Sequence, residues 1–316
     1  MNKLIKAIFK TGSGTAISIF FGIIAMKIMA WLIGPAGVGL FSLIRQTQQT
    51  VITIGGGQIP LTQGLASQSD EERNKYLSEV SVYILLLSLG TTIIFYLSSP
   101  WLGPFIFGNQ IYSGNLIKTL CIPIGIGFVF VYFNGVLNGN RALNKLIISQ
   151  ILNAAIVAFL VYPASLLFNQ GVSTVFIFVL ALGMLGSVLY SFITSYKAGW
   201  LNGLGKNFFT LNFKSNNLKK FISFSVITTF TSLFAMITVL IIRALVARNT
   251  GLYGAGIFDV AWTLSTMYLQ LILSAFASYY LPTLSSIKNS NEQIKFIKSF
   301  LLSSIIFSLK SEFHIS

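Results

Sequence analysis

Apolar stretches of about twenty residues follow one another along this chain, and they decide what its backbone can be surrounded by. Nine can be marked: Gly12–Ile33, Gly37–Leu61, Val80–Ser98, Leu116–Val136, Leu146–Phe168, Val172–Ser195, Phe221–Val246, Ala255–Leu281 and Ile294–Leu309. At 1.5 Å per residue most are long enough to cross ~30 Å of hydrocarbon as helices. Strands of a membrane barrel would alternate apolar and polar residues over ~10 positions, and these runs do not. Only 9% of the 316 residues are charged, against roughly a quarter in soluble domains, so a water-soluble fold is excluded. The first run is too long for a signal-peptide core and lacks a small-residue cleavage site, so it is expected to stay as a helix. The sequence predicts an all-α polytopic membrane protein.

The net charge of +14, from 21 Lys and Arg against 7 Asp and Glu, would suggest nucleic acid in a soluble protein. Here the cations sit between apolar runs, where they set topology, and no nucleic-acid partner is expected. With a cytoplasmic N-terminus, 15 of them fall in inside segments and only Lys118, Arg248 and Lys310 in outside ones. The outer loops, such as Gly34–Ala36 and Asn169–Gly171, are short. Cys121 lies in an apolar run and His314 is two residues from the end, so neither a disulfide framework nor a metal or catalytic role is expected of them. Gly125-x-Gly127 has no strand before it, and no P-loop, paired-His spacing or Ser-His-Asp set is present. The chain reads as a non-enzyme with no cofactor. Trp31, Trp101, Trp200, Tyr279 and Tyr280 stand near segment ends, as interfacial anchors do.

The pattern G-x-x-G-x-G-[LI]-F occurs at Gly34–Phe41 and again at Gly251–Phe258, a constant spacing of 217 residues, each time between two helices. Glycines that simply punctuate hairpins would give the same string. If it is a repeat, residues 1–196 form a first six-helix bundle, the basic stretch 197–220 is a cytoplasmic linker, and 221–316 begin a second bundle in the same orientation. Parallel repeats of this kind are a transporter architecture. Six helices in the first half predict six in the second, so a chain with about nine of twelve is expected to stop early.

Three cations remain inside predicted helices, Lys27, Arg45 and Arg243, with one acid, Asp259, a turn inside the eighth. Such a group costs roughly 2.5–3.5 kcal/mol at a helix centre on insertion scales and is usually paired or functional. Snorkelling to the interface would account for any one of them. The alternative is a cationic patch in a water-filled cavity, suited to a phosphate or diphosphate because Arg offers a bidentate fork and Lys a point charge. Asp259 could pair with a cation or carry a coupling proton. Gly55-Gly56-Gly57, followed by Pro60, would loosen its helix and could act as a hinge; close helix packing explains it as well.

The stretch Lys27–Gly39 with Arg45-Gln46, and the later stretch Tyr268–Ser285, resemble Wzx-type flippases, the O-antigen and enterobacterial common antigen branch of the multidrug/oligosaccharidyl-lipid/polysaccharide (MOP) superfamily. The resemblance covers essentially the whole chain. It implies a MATE-like bundle that moves an undecaprenyl-diphosphate-linked oligosaccharide from the inner to the outer leaflet of the bacterial inner membrane. It also implies Lys27, Arg45 and Arg243 in the cavity, membrane lipids as surroundings, and a polysaccharide polymerase and chain-length regulator as partners. The match at Asp259 is less secure. A drug or cation exporter of the same architecture would need acidic rather than basic cavity residues, and a chain that stops three helices short could be an inactive remnant.

Overall fold

A computed structural model describes residues 2–55, 57–68, 70–107, 113–201 and 216–286. Among them are eight α-helices: α1 (Asn2–Gly55), α2 (Gln58–Ser67), α3 (Asp70–Leu97), α4 (Ser99–Phe107), α5 (Ser113–Gly139), α6 (Leu143–Asn169), α7 (Val175–Lys197) and α8 (Asn216–Ser286). The first eight apolar runs lie on these helices; the ninth, Ile294–Leu309, lies outside the described residues. Six helical stretches are long and apolar enough to span a bilayer, and in hydrocarbon a helix satisfies every backbone polar group internally. The chain divides into two compact units, Met1–Ala261 and Trp262–Ser316. In the second, the described residues to Ser286 are helical, and Thr266 back-bonds to the Trp262 carbonyl at 2.8 Å.

In the first unit α1 folds back on itself. Gly34 has φ 65°, ψ −174°, a conformation open essentially to glycine alone, and the next residue, Pro35, disfavours a helical residue before it. The two limbs then run in opposite directions. Gly14 packs against Ile147 at the start of α6, while Leu32 accepts a hydrogen bond from Asn169 Nδ2 at its end, 3.3 Å. The returning limb follows α5, with Gln48 bonded to the Pro123 carbonyl and Ile52 against Gly127. α8 bends the same way at Gly251, φ 72°, ψ −178°.

The two bends meet. A Cβ on Gly39 would collide with the Leu252 carbonyl oxygen and stand 2.8 Å from the Gly256 nitrogen. A Cβ on Gly256 would collide with the Pro35 carbonyl oxygen and stand 2.6 Å from its carbon. Gly39 and Gly256 are equivalent at the 217-residue spacing, and so are Pro35 and Leu252, so each hairpin presses its last motif glycine onto the same carbonyl of the other. The motif glycines are therefore packing residues as well as turn residues. From this junction the returning limb of α1 lies beside the first limb of α8 down to Gly57, which faces Phe221.

Two buried clusters hold the unit. One gathers Met29, Leu43, Ile44, Ile117, Leu120, Ile124 and Phe176. The other, at the end away from the hairpins, gathers Leu61, Leu65, Tyr76, Leu77, Val80 and Phe221. α6 and α7 are joined by hydroxyls: Ser187 Oγ donates to the Ser149 carbonyl at 2.7 Å and Ser191 Oγ to Ser149 Oγ at 2.9 Å. Interhelical bonds of this kind average about 0.6 kcal/mol and reach about 1.7 in membranes. Ser149→Ala removes the Ser191 acceptor and spares the backbone-directed Ser187 bond. A loss near 1 kcal/mol is expected in detergent unfolding, whereas Ser187→Ala and Ser149→Ala should sum when combined.

Candidate functional site

The charges the sequence leaves in the membrane do not all go to one place. Arg243 is held from two sides, and the local spacing explains how. Ser42 lies eight residues past Gly34, Arg243 eight before Gly251 and Asp259 eight after it, so all three sit about 12 Å from the hairpin end. One Arg243 terminal nitrogen donates to Ser42 Oγ at 2.7 Å and the other meets Asp259 Oδ1 at 2.6 Å. The side chains are 11% and 8% exposed, and Arg243 Nε has no partner among the described residues. Ser42 and Asp259 are themselves equivalent at the 217-residue spacing, so one guanidinium bridges matching positions of the two hairpins.

Arg45 stands a turn beyond Ser42 and within electrostatic reach of both Asp259 and Arg243. It makes no hydrogen bond among the described residues. Its side chain is exposed to a cavity of about 120 Å³ inside the first unit, shared with Met26, Gln48, Gln49, Asn153 and Met184. Lys27 is not brought to this group. It is exposed on the first limb of α1, in line with Phe20, Ile23 and Trp31, the last 82% exposed. Positions three, four and seven apart share a helix face, so Lys27 stands in an otherwise apolar stripe, opposite the buried Ala25 and Met29.

The glycine run interrupts the helix as a structural break. α1 ends at Gly55, Gly57 takes a left-handed conformation (φ 53°, ψ 23°) and α2 starts at Gln58, so the second apolar run does not continue as one helix to Leu61. Gly56 lies outside the described residues. Beside the break a second cavity, about 190 Å³, is lined by Thr53, Gln58, Thr229 and Ser232 from both hairpins.

Sequence reasoning singles out Arg45 and passes over the residues just after it. Arg45-Gln46-Thr47-Gln48-Gln49-Thr50 is six consecutive polar residues in a membrane-spanning helix, a signal open to any reader of the chain. Thr47 and Thr50 spend their hydroxyls on the carbonyls four residues back, at 2.7 and 2.8 Å. Gln46 Nε2 donates to the Met236 carbonyl and Gln48 Nε2 to that of Pro123. Among the described residues, the Arg45 fork, the Gln49 amide and Gln48 Oε1 are left without a partner.

Residues 4–288 match the model of a family described as polysaccharide biosynthesis protein. The Lipid III flippase of Escherichia coli (strain K12) is 25% identical over 304 residues, covering 92% of this chain and 69% of that protein, and the Lipid III flippase of Shigella flexneri matches equally. Among solved structures, the inward-facing conformation of a multidrug resistance MATE family transporter of the MOP superfamily superposes with a TM-score of 0.61 at 16% identity, covering 85% of this chain and 64% of that one. A MOP superfamily transporter from Pyrococcus furiosus, described as having a binding pocket of reverse polarity, gives 0.58 at 16% identity, with 87% and 62% covered. At that identity the likeness concerns the fold: a helical membrane bundle of the MOP type. The chain spans less than two thirds of either solved chain.

Proposed function

Because the chain belongs to the polysaccharide biosynthesis protein family, we propose that it serves as a flippase for an undecaprenyl-diphosphate-linked oligosaccharide, an O-antigen or enterobacterial common antigen repeat unit, and performs no bond chemistry. The observation that carries this reading is Arg45: a guanidinium without a hydrogen-bond partner among the described residues, facing a cavity between membrane-spanning helices, a turn from a second arginine. A free fork of that kind fits a diphosphate oxygen pair. Similarity to the Lipid III flippases supports a lipid-linked saccharide as cargo. The fold shared with a multidrug transporter is compatible with a drug exporter, but a cation would meet Arg45 in this cavity as a like charge.

In this reading Arg45, Arg243 and Lys27 hold the diphosphate at different stages. Arg45 offers its fork at rest, Arg243 joins when it lets go of Asp259, and Lys27 meets the headgroup at the lipid-facing flank of α1. Residues 1–196 act as one bundle and 221–316 as part of another, linked through 197–220. The break at Gly55–Gly57 serves as the hinge between inward- and outward-open states, and the N-terminus is cytoplasmic in the bacterial inner membrane. A polymerase and a chain-length regulator would take the product on the far side.

The test is translocation of a fluorescent undecaprenyl-diphosphate saccharide across liposomes carrying the protein. A hydrogen bond to a charged group is worth about 1.5–3 kcal/mol, so Arg45→Ala should slow transfer roughly ten- to hundredfold at equal protein level. Transfer that is unchanged in Arg45→Ala, or absent in the parent protein, rejects the reading.

A further inference from the structure

The cavity beside the α1–α2 break differs in chemistry from the one that Arg45 faces. Among the described residues no charged side chain lines it, yet part of its wall is polar. Thr229, Ser232 and Met236 stand three and four residues apart and so share one face of α8, while Thr53 and Gln58 come from the α1–α2 side. Thr53 lies 19 residues past Gly34 and Ser232 19 before Gly251, so both sit ~28 Å from the hairpin end. Thr53 is committed: its hydroxyl meets the Gln49 carbonyl at 2.8 Å and Met236 Sδ at 3.1 Å. The others are not. On α8, Thr238, Thr250 and Thr266 each donate to the carbonyl four residues back, which satisfies a helical hydroxyl locally. Thr229, Ser232 and the Gln58 amide make no hydrogen bond among the described residues, and all three are half-buried rather than sealed. They open onto about 190 Å³ whose remaining wall is largely aliphatic, Ile52 included. A polar group that does not bond to its own helix takes its partner from what fills the space beside it.

We propose that this cavity is a subsite for one uncharged sugar ring, with Thr229, Ser232 and Gln58 hydrogen-bonding its hydroxyls and Ile52 and Met236 meeting its C–H face. Such a ring matches both parts of the lining. Its hydroxyls donate and accept, as do two side-chain hydroxyls and an amide, and its C–H face suits an aliphatic wall with an adaptable thioether. An ionised group would find no counter-charge among the lining residues. The flippase reading is needed only to attach this ring to a lipid; the contact with the sugar does not rest on it. Arg45 is eight residues from Thr53, ~12 Å nearer the bend. That is too far for the ring joined to a phosphate held by Arg45, so the subsite reads a ring further along the glycan.

The experiment measures binding to the whole 316-residue chain by saturation-transfer NMR, in a detergent without a sugar headgroup. The probes are the methyl glycosides of glucose, galactose and N-acetylglucosamine, with methoxytetrahydropyran as the same ring stripped of its hydroxyls. At least one glycoside should bind saturably, and the stripped ring at least about tenfold more weakly, the worth of one net hydrogen bond. Thr229→Val and Ser232→Ala should each weaken that glycoside about two- to tenfold and together abolish its signal, with the unfolding temperature unchanged. Thr238→Val, on the same limb but exposed and bonded to its own helix, should leave binding as it is, and so should Arg45→Ala. A parent chain that binds no glycoside saturably, a double variant that binds as the parent does, or a stripped ring that binds as tightly as the glycosides overturns the subsite. Lipid transfer by Arg45→Ala answers to the flippase reading alone, so either conclusion can fail without the other.

Discussion

Gly256→Ala should be the most damaging single methyl that can be added to this protein. The new carbon would overlap the Pro35 carbonyl oxygen and lie 2.6 Å from its carbon and 3.0 Å from its Cα. All three are main-chain atoms at a bend, so no side chain can swing aside. Overpacking costs typically 1–3 kcal/mol and occasionally more, and a backbone obstacle puts this case at the upper end, at about 3 kcal/mol. Gly39→Ala should cost a similar amount, since its methyl meets the Leu252 carbonyl and stands 3.3 Å from Ala255 Cβ. The double substitution should cost less than both singles together, because one outward shift of the hairpins makes room for both methyls. Gly90→Ala in α3, with nothing within 4 Å of the new carbon, should instead gain up to about 1 kcal/mol from helix propensity. Thermal unfolding in detergent, with amide exchange at 36–40 and 252–257, separates these outcomes. Equal behaviour of Gly256→Ala and Gly90→Ala would show that the hairpins do not touch as described.

Asp259→Asn should cost at least as much. It leaves the Arg243 guanidinium inside the membrane-spanning helices without its counter-charge, facing only neutral acceptors, the Ser42 hydroxyl and an amide oxygen, and removing one charge of a buried ion pair costs roughly 3–5 kcal/mol. An unfolding temperature lower by on the order of 10 °C is expected. The pair Arg243→Leu with Asp259→Leu should recover most of the loss, since apolar replacement of both partners is often neutral. Ligand binding should move the other way: Asp259→Asn releases the Arg243 fork, so pyrophosphate should bind more tightly to a less stable protein. Weaker pyrophosphate binding in Asp259→Asn would mean that the carboxylate does not compete with the ligand.

Much of this arrangement is legible in the chain, and the reasons for the remainder are physical. Helix positions come from run length, since a hydrocarbon solvent leaves the backbone no other economy. Gly34-Pro35 announces its bend, and the 217-residue spacing announces a second. Spacing gives equivalence, however, not contact, and nothing in the string says that Gly39 rests on residue 252. The depth of Lys27 follows from counting, but its face does not. In water an amphipathic stripe marks the inside; here Phe20, Ile23 and Trp31 are as apolar as the core they turn away from. The partner of Arg243 is foreseeable as an acid at matching depth, and Asp259 is the acid that the long α8 hairpin offers. Gln48 is the residue most easily read past, because an amide inside a polar run looks like its neighbours until each hydrogen bond is traced to its end.

The junction of the two hairpins has a further consequence, for how such a protein can diverge. Each bend is both tooth and socket, and what the socket presents is a main-chain oxygen. Proline at 35 and leucine at 252 therefore present the same carbonyl to the facing glycine although their side chains differ. The same licence extends to Ser42 and Asp259, one neutral and one ionised, at matching places around a single shared guanidinium. Two matched hairpins can thus keep their geometry in glycines while differing in chemistry, and an error in one glycine damages both hairpins at once.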